Sequence, residues 1–226
     1  MTSEAGDRLA FLGTARRALA DAPAFGHARP VVPLTGGVVA PIAYASTLNG
    51  DDTDRLVDAF AAALTSLGGV VRRIADEETR AAFLADALTA ATAKRVVMTN
   101  ERECDGLLEL LDAHDVEVVD FADAASVATC DIGVSGARGA VALTGSIVVD
   151  AARAGGRTVS LLPPLHLAFV RADAIVASPG DLWRSMGSPM PSNLVQITGP
   201  SRSADIELII TLGVHGPRAL WVGVLD

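Results

Sequence analysis

Apolar residues recur at helical spacing soon after residue 50. Within residues 54–68, Leu56, Phe60 and Leu64 fall on one face, and a Gly-Gly pair ends the pattern, which predicts an amphipathic helix. Segments with strand-like and helix-like apolar patterns then alternate up to residue 121. Their predicted order is strand 69–74, helix 76–91, strand 95–100, helix 104–114 and strand 116–121. This alternation with short connections predicts an α/β fold with an open, mostly parallel sheet and helices on both faces.

The pattern changes after residue 127, where no helical period is visible. Gly133, Gly136 and Gly139 are expected to bend short strands ahead of a β run over residues 140–150. The remaining predicted elements are an apolar run 158–170 interrupted by two prolines, a strand 174–178, a helix or turn 178–192, a strand 193–199, a helix 204–214 and a final strand 219–226.

The first 50 residues have a different character. Residues 4–20 place Leu9, Leu12 and Leu19 at helical spacing, and a proline-rich segment follows. We therefore predict an N-terminal helix and wrapping arm over residues 1–50, followed by one α/β domain over residues 51–226. Such an arm packs on its own domain more often than it reaches a partner subunit.

Composition narrows the functional classes. The chain has 226 residues, half of them hydrophobic, and a formal net charge of −9, which argues against binding to nucleic acid or to an anionic membrane surface. Neither a signal peptide nor an apolar stretch long enough to span a bilayer is visible, so a soluble cytoplasmic protein is expected. The cysteines, Cys104 and Cys130, lack the spacing of a zinc or iron–sulfur ligand set, so we expect no cofactor in this chain.

The most unusual stretch is ITGPSRSADIELIITLGVHGP, residues 197–217. A Gly-Pro loop that feeds a helix would present free backbone N–H groups, and with Arg202 these could hold a carboxylate or phosphate. Alternatively, Ser201 or Ser203 merely caps the helix. Acidic residues in the predicted first turn, Asp205 and Glu207, favour capping because they already complement the helix dipole.

Small residues mark a second candidate position. Thr144, Gly145 and Ser146 lie inside a β run, where a ligand could approach the backbone closely, although a β-bulge or strand crossing is the commoner explanation. The glycines at 133, 136 and 139 do not have the dinucleotide-binding spacing, which excludes a nicotinamide or flavin site on this pattern.

Titratable residues give weaker signals. No histidine pair has metal-ligand spacing, so no metal site is predicted. His166 could face a cleft, but a core histidine is the commoner case. Asp131 and Glu207 are possible general bases, and neither belongs to a visible catalytic constellation.

The chain resembles the lactate-utilization protein C family, the single-domain members of the LUD-domain group. The resemblance covers most of residues 90–226 and rests on TGS at 144–146, LLPPLH at 161–166 and the block at 197–217. It implies a fold shared with glucosamine-6-phosphate deaminase, ribose-5-phosphate isomerase and CoA transferases. It also implies a role in oxidising L-lactate to pyruvate with two iron–sulfur partner proteins of the same operon.

Ligands of open α/β sheets bind at the carboxyl ends of the strands, so the candidate residues are expected to meet there. The predicted ligand-binding residues are Thr144, Gly145, Ser146, His166, Gly199, Pro200, Ser201, Arg202 and Ser203. The favoured interpretation is an accessory or regulatory subunit of a lactate-oxidising complex that binds a small carboxylate or phosphate. The alternatives are a stand-alone isomerase-like or transferase-like enzyme acting on a sugar phosphate or acyl compound, and a pure interaction module.

Overall fold

The computed structural model describes residues 52–154, 156–186, 191–204 and 210–226. The predicted arm, residues 1–50, lies outside this part of the chain. The helices are α1 Thr53–Ser66, α2 Glu77–Ala91, α3 Leu107–Asp112, α4 Ala124–Val127, α5 Thr158–Leu161 and α6 Pro179–Ser185, with single 3-10 turns at Arg102–Cys104 and Ala172–Ala174. The strands are β1 Val70–Ile74, β2 Arg95–Met98, β3 Glu117–Val119, β4 Ile132–Gly136, β5 Gly139–Val141, β6 Ser146–Asp150, β7 Leu165–Arg171, β8 Ile175–Val176, β9 Leu194–Ile197, β10 Arg202–Ala204, β11 Ile210–Leu212 and β12 Ala219–Leu225.

Six parallel strands form the main sheet, in the order β1-β12-β7-β4-β2-β3. Alternate residues of its central strand β7 face opposite cores: Phe169 packs with α2 and α3, whereas Val170 packs with α1. Helices therefore lie on both faces of the sheet, as the sequence predicts. The two long helices begin where side chains cap them, since Asp52 and Asp76 accept hydrogen bonds from backbone N–H groups of the first turn.

A smaller sheet, β8-β5-β6-β9, packs on the same face as α1. Its strands β5 and β6 pair antiparallel, and the turn between them contains Gly145. At this position φ is +63°, and a Cβ atom would lie 2.5 Å from the backbone nitrogen of Leu64. The turn can approach α1 this closely only because residue 145 has no side chain.

The predicted helix over residues 204–214 is wrong at both of its ends. Ala204 ends strand β10, which pairs antiparallel with β11 so that Ser203 lies opposite Thr211. The segment that follows the loop contains β-branched residues such as Ile210, which favour a strand when a partner strand is available. Residues 205–209 lie outside the described part of the chain.

Two smaller predictions also change. The predicted helix 104–114 is divided, because Gly106 has a φ of +80° and α3 begins only after it. The apolar run at 158–170 begins as helix α5 and becomes strand β7 only after its two prolines. Within the described residues, none of the helices has the length and apolar character of a transmembrane segment.

Candidate functional site

The main sheet has a topological switch point between β2 and β4. The chain leaves β2 through α3 to reach β3 at the sheet's outer edge, and it leaves β4 in the opposite direction to reach β7. Adjacent strands whose connections diverge leave a crevice at their carboxyl ends, and this crevice is where open α/β sheets bind ligands.

The carboxyl group of Glu101 lies in this crevice. Its Oε2 atom accepts hydrogen bonds from the Thr99 hydroxyl and from the Gly136 N–H, each at 2.8 Å. The residue is only 4% exposed. A Cβ atom at position 136 would lie 2.9 Å from the Cβ of Glu101, so the close approach of the two segments requires glycine at the end of β4.

Burial sets the electrostatics of Glu101. Removal from water raises the pKa of its carboxyl above the ordinary value, against the opposing effects of the hydrogen bonds from Thr99 and Gly136 and the charge of Arg153. The nearby Glu103 carboxylate raises the pKa further. A carboxyl tuned in this way can hold or release a proton closer to neutral pH than an exposed one, which is the property of a general acid or base.

Glu103, the second acidic residue of the crevice, contacts two arginines, one through its carboxylate and one through its backbone carbonyl. Glu103 Oε2 makes an ion pair of 3.7 Å with Arg153, a distance too long for a hydrogen bond, and this buried atom has no hydrogen-bond partner among the described residues. Arg80 donates to the Glu103 carbonyl at 3.0 Å and lies over the Phe169 ring at 5.4 Å. A cavity of about 380 Å³ opens beside this cluster. It is lined by Arg102, Glu103, Asp105, Arg171 and Leu225.

The cysteines do not add reactive groups. Cys104 lies 3.9 Å from the Thr99 hydroxyl, and burial raises the pKa of its thiol to about 12. Burial also raises the pKa of the Cys130 thiol. Since the thiolate is the nucleophile and the metal ligand, both side chains are held in the unreactive form. The described residues contain no cluster of His, Cys, Asp and Glu that could hold a metal ion.

The loop over residues 199–203 lies near the amino edge of the main sheet, and the expectation that it lies at the carboxyl edge is wrong. Strand β9, which leads into the loop, belongs to the small sheet and runs antiparallel to β6. The Ser201 N–H donates at 2.8 Å to the carbonyl of Pro217, which precedes the amino end of β12. Ser201 also accepts, through its carbonyl, a hydrogen bond from Gly213 N–H at 3.0 Å.

The loop and the turn at 144–146 nevertheless adjoin. Ser146 Oγ lies 2.7 Å from the hydroxyl oxygens of both Thr144 and Thr198, so a chain of hydroxyl groups centred on the buried Ser146 links the two segments. Both segments contact the end of α1: Gly145 packs on Leu64, and the Arg202 guanidinium donates to the Leu67 carbonyl. Binding of an anion by these residues stays a prediction.

His166 does not face a cleft. It is the second residue of β7, fully buried, and its Nε2 atom lies 2.9 Å from the Ser135 hydroxyl. Burial lowers the pKa of the imidazole to about 4, so the ring is neutral near pH 7. Its Nδ1 atom has no hydrogen-bond partner among the described residues. His166 is therefore a core histidine and not a ligand at the rim of a cleft.

The two suggested general bases are not part of this crevice as described. Asp131 precedes β4, and its carboxylate accepts hydrogen bonds from the backbone N–H groups of Lys94 and Arg95 at 2.8 and 3.0 Å. This arrangement ties the start of β2 to β4 and is structural. Glu207 lies outside the described residues, as does the side chain of Ser203. Sequence reasoning missed Glu101, although a polar run directly after a buried strand is a usable signal for the carboxyl edge.

The sequence profile of the LUD domain matches residues 57–224. The chain belongs to the LUD domain family. Lactate utilization protein C from Halalkalibacterium halodurans is 33% identical over 148 residues, which is 60% of this chain and 64% of that protein. The protein of the same name from Bacillus subtilis is 37% identical over 103 residues, 42% of this chain and 43% of that protein. The matched regions thus span less than two thirds of the length of these two relatives.

A solved structure supports the fold. A DUF162 family protein from Deinococcus radiodurans superposes with a TM-score of 0.60 at 22% identity, over 77% of this chain and 99% of that one. At this identity the likeness shows that the two proteins share their α/β architecture.

Proposed function

We propose that this LUD-family protein takes part in L-lactate utilization as an accessory subunit without a redox centre of its own. In this proposal, iron–sulfur partner proteins oxidise lactate to pyruvate and accept the electrons. The observation that carries the proposal is the similarity, at 33 to 37% identity, to proteins named lactate utilization protein C.

The geometry of the switch point supports an accessory role over an enzymatic one. The crevice that would receive a ligand is filled by the chain's own Glu101, whose carboxylate takes the hydrogen bond from Gly136 N–H. A backbone N–H at the end of a central strand is a group that could otherwise hold a ligand's oxygen atom. A substrate would have to displace a side chain that is 4% exposed.

The state of the thiols supports the assignment of electron transfer to partners. A usual iron–sulfur cluster needs four thiolates, and this chain has two cysteines, both buried and both with raised thiol pKa values. The proposal includes a small carboxylate or phosphate as a ligand of the loop at residues 199–203, where Arg202 supplies a positive charge.

One observation favours the alternative, an isomerase-like or transferase-like enzyme acting on a sugar phosphate or acyl compound. Glu101 combines a raised carboxyl pKa with a neighbouring hydroxyl, that of Thr99, in the crevice where such enzymes bind substrates. If the Glu101 side chain moved out of the crevice, it could transfer a proton to or from a bound substrate.

Growth of a deletion strain tests the proposal. A strain that lacks the gene is expected to fail on L-lactate and to grow normally on pyruvate, and the wild-type gene should restore growth on lactate. Normal growth of the deletion strain on L-lactate would contradict the proposal. Complementation with Glu101→Gln separates the two roles, because an accessory subunit should tolerate the isosteric amide and a proton-transfer enzyme should not.

A further inference from the structure

The main sheet ends at β3, whose outer edge has no partner strand among the described residues. The N–H of Glu117 donates inward, to the carbonyl of Lys94 at 2.9 Å. Because successive residues of a parallel strand direct their backbone groups to opposite sides, the N–H and C=O of Val118 point to the open edge. This edge therefore offers a donor and an acceptor to an added strand.

An apolar groove lies beside the same edge. Leu108 of α3 is 52% exposed and Val118 is 38% exposed, which makes them two of the more exposed large apolar side chains of the described chain. They line a cavity of about 410 Å³ together with Val116, Glu109 and Asp112. An added strand would bring its alternate side chains over this apolar floor.

Acidic residues form the rim of the groove. Glu109 and Asp112 are exposed and form no ion pair within the described residues, whereas Glu117 pairs with Arg95 at 3.0 Å. A second copy of this chain would bring the same acidic rims together and would be repelled. A basic segment would meet opposite charges beside an apolar contact.

We propose that the β3 edge binds an extended segment of another protein that presents both apolar and Lys or Arg side chains on the strand face toward α3. The segment adds a strand next to Val118, places its apolar side chains against Leu108 and Val118, and directs its basic side chains to Glu109 and Asp112. This interaction goes beyond the proposed role in lactate utilization and does not depend on it.

A labelled peptide of repeated Val-Thr-Lys-Thr, which as a strand places Val and Lys on one face, is a direct probe, and the same peptide with Glu in place of Lys is its control. Fluorescence anisotropy of the full chain should show saturable binding of the Lys peptide alone. Leu108→Lys should weaken binding by at least about tenfold, the loss expected for an interface anchor. Val70→Lys adds the same charge on β1, the opposite edge strand, at a residue that is 37% exposed, and should leave the affinity within about twofold.

Asp112→Ala provides a second test that retains the apolar floor, and it should weaken binding of the Lys peptide and reduce its salt dependence. Circular dichroism checks that each variant is folded. Equal binding of the Lys and Glu peptides, equal losses in Leu108→Lys and Val70→Lys, or no binding at all would overturn the proposal. Concentration-dependent dimerisation that Leu108→Lys abolishes would also overturn it, since the occupant would then be a second copy.

Discussion

The N–H of Gly136 donates to the carboxylate of Glu101 across a distance of 2.8 Å. This bond joins the end of β4 to the loop that follows β2, and it spans the switch point of the main sheet. The candidate site of this LUD-family protein is therefore built from two segments about 35 residues apart in sequence.

Replacement of Gly136 tests how closely these segments fit. In Gly136→Ala the new methyl group would meet Glu103 Oε2 at 2.8 Å and Glu101 Cβ at 2.9 Å. We expect the free energy of unfolding to fall by about 1–3 kcal/mol, as is typical of overpacking. Urea denaturation measures it. Gly180→Ala is the matched control, because its methyl group would lie 3.5 Å from Arg184 in an ordinary contact within helix α6, so no loss is expected.

Removal of the Glu101 carboxyl should destabilise the protein through its lost hydrogen bonds. Glu101→Ala leaves the Gly136 N–H buried and unpaired, which costs about 1–3 kcal/mol, whereas Glu101→Gln keeps an acceptor and should cost less. Equal losses in the two variants, measured by urea denaturation, would show that the hydrogen bonds contribute little.

The same pair of proteins tests the pKa of Glu101. Because the folded state raises the pKa of this carboxyl above 4.5, its ionisation disfavours folding. The stability of the wild type relative to Glu101→Gln should therefore fall as pH rises from about 4.5 through the folded pKa. A difference that does not change with pH would contradict the raised pKa.

His166 should give a pH dependence of the opposite sign. Its pKa falls from 6.5 to about 4 on folding, so neutral His166 is favoured in the fold and stability is lost as pH decreases from 6.5 to about 4. The loss should reach about 3 kcal/mol. Urea denaturation across this range, compared with His166→Gln, isolates the contribution of the imidazole. Parallel curves for the two proteins would mean that His166 does not titrate differently on folding.

Arg202 distinguishes an anion site from a helix cap. Its guanidinium donates to the Leu67 carbonyl at the end of α1, so Arg202→Ala should cost about 0.3–1 kcal/mol of stability. If the loop also binds a carboxylate, the affinity of Arg202→Ala for L-lactate or pyruvate should be about ten- to a hundredfold below that of the wild type. Calorimetric titration measures both affinities. Arg184→Ala, at an exposed arginine that belongs to neither candidate site, is the control. Equal affinity in wild type and Arg202→Ala would show that Arg202 caps the end of α1 and does not bind the anion.

Local patterns were enough to predict most of the fold. The spacing of Leu56, Phe60 and Leu64 predicts α1, and these three side chains are buried in the structure. Alternation of helices with short apolar runs predicts the parallel sheet, because each element must bury its own apolar face. The helix predicted at 204–214 fails because the strand Ile210–Leu212 depends on a partner, Arg202–Ala204, that a local period cannot reveal.

The candidate site was harder to predict because it depends on contacts distant in sequence. Glu101 is an ordinary acidic residue after a strand, and its buried contact with Gly136 joins positions 35 residues apart. The sequence places the loop at 199–203 at the carboxyl edge only if strand β9 belongs to the parallel sheet. Strand β9 instead pairs antiparallel with β6 and so belongs to the smaller sheet. No residue pattern within β9 reveals this pairing.

Lactate oxidation by reconstituted proteins is the most direct test of the accessory role. Turnover of L-lactate with an artificial electron acceptor would be measured anaerobically for this chain alone, for the proposed iron–sulfur partners alone and for the mixture. The accessory role predicts no turnover and no visible chromophore for this chain alone, and a higher rate for the mixture than for the partners alone. Turnover by this chain alone, or a rate for the mixture equal to that of the partners, would contradict it.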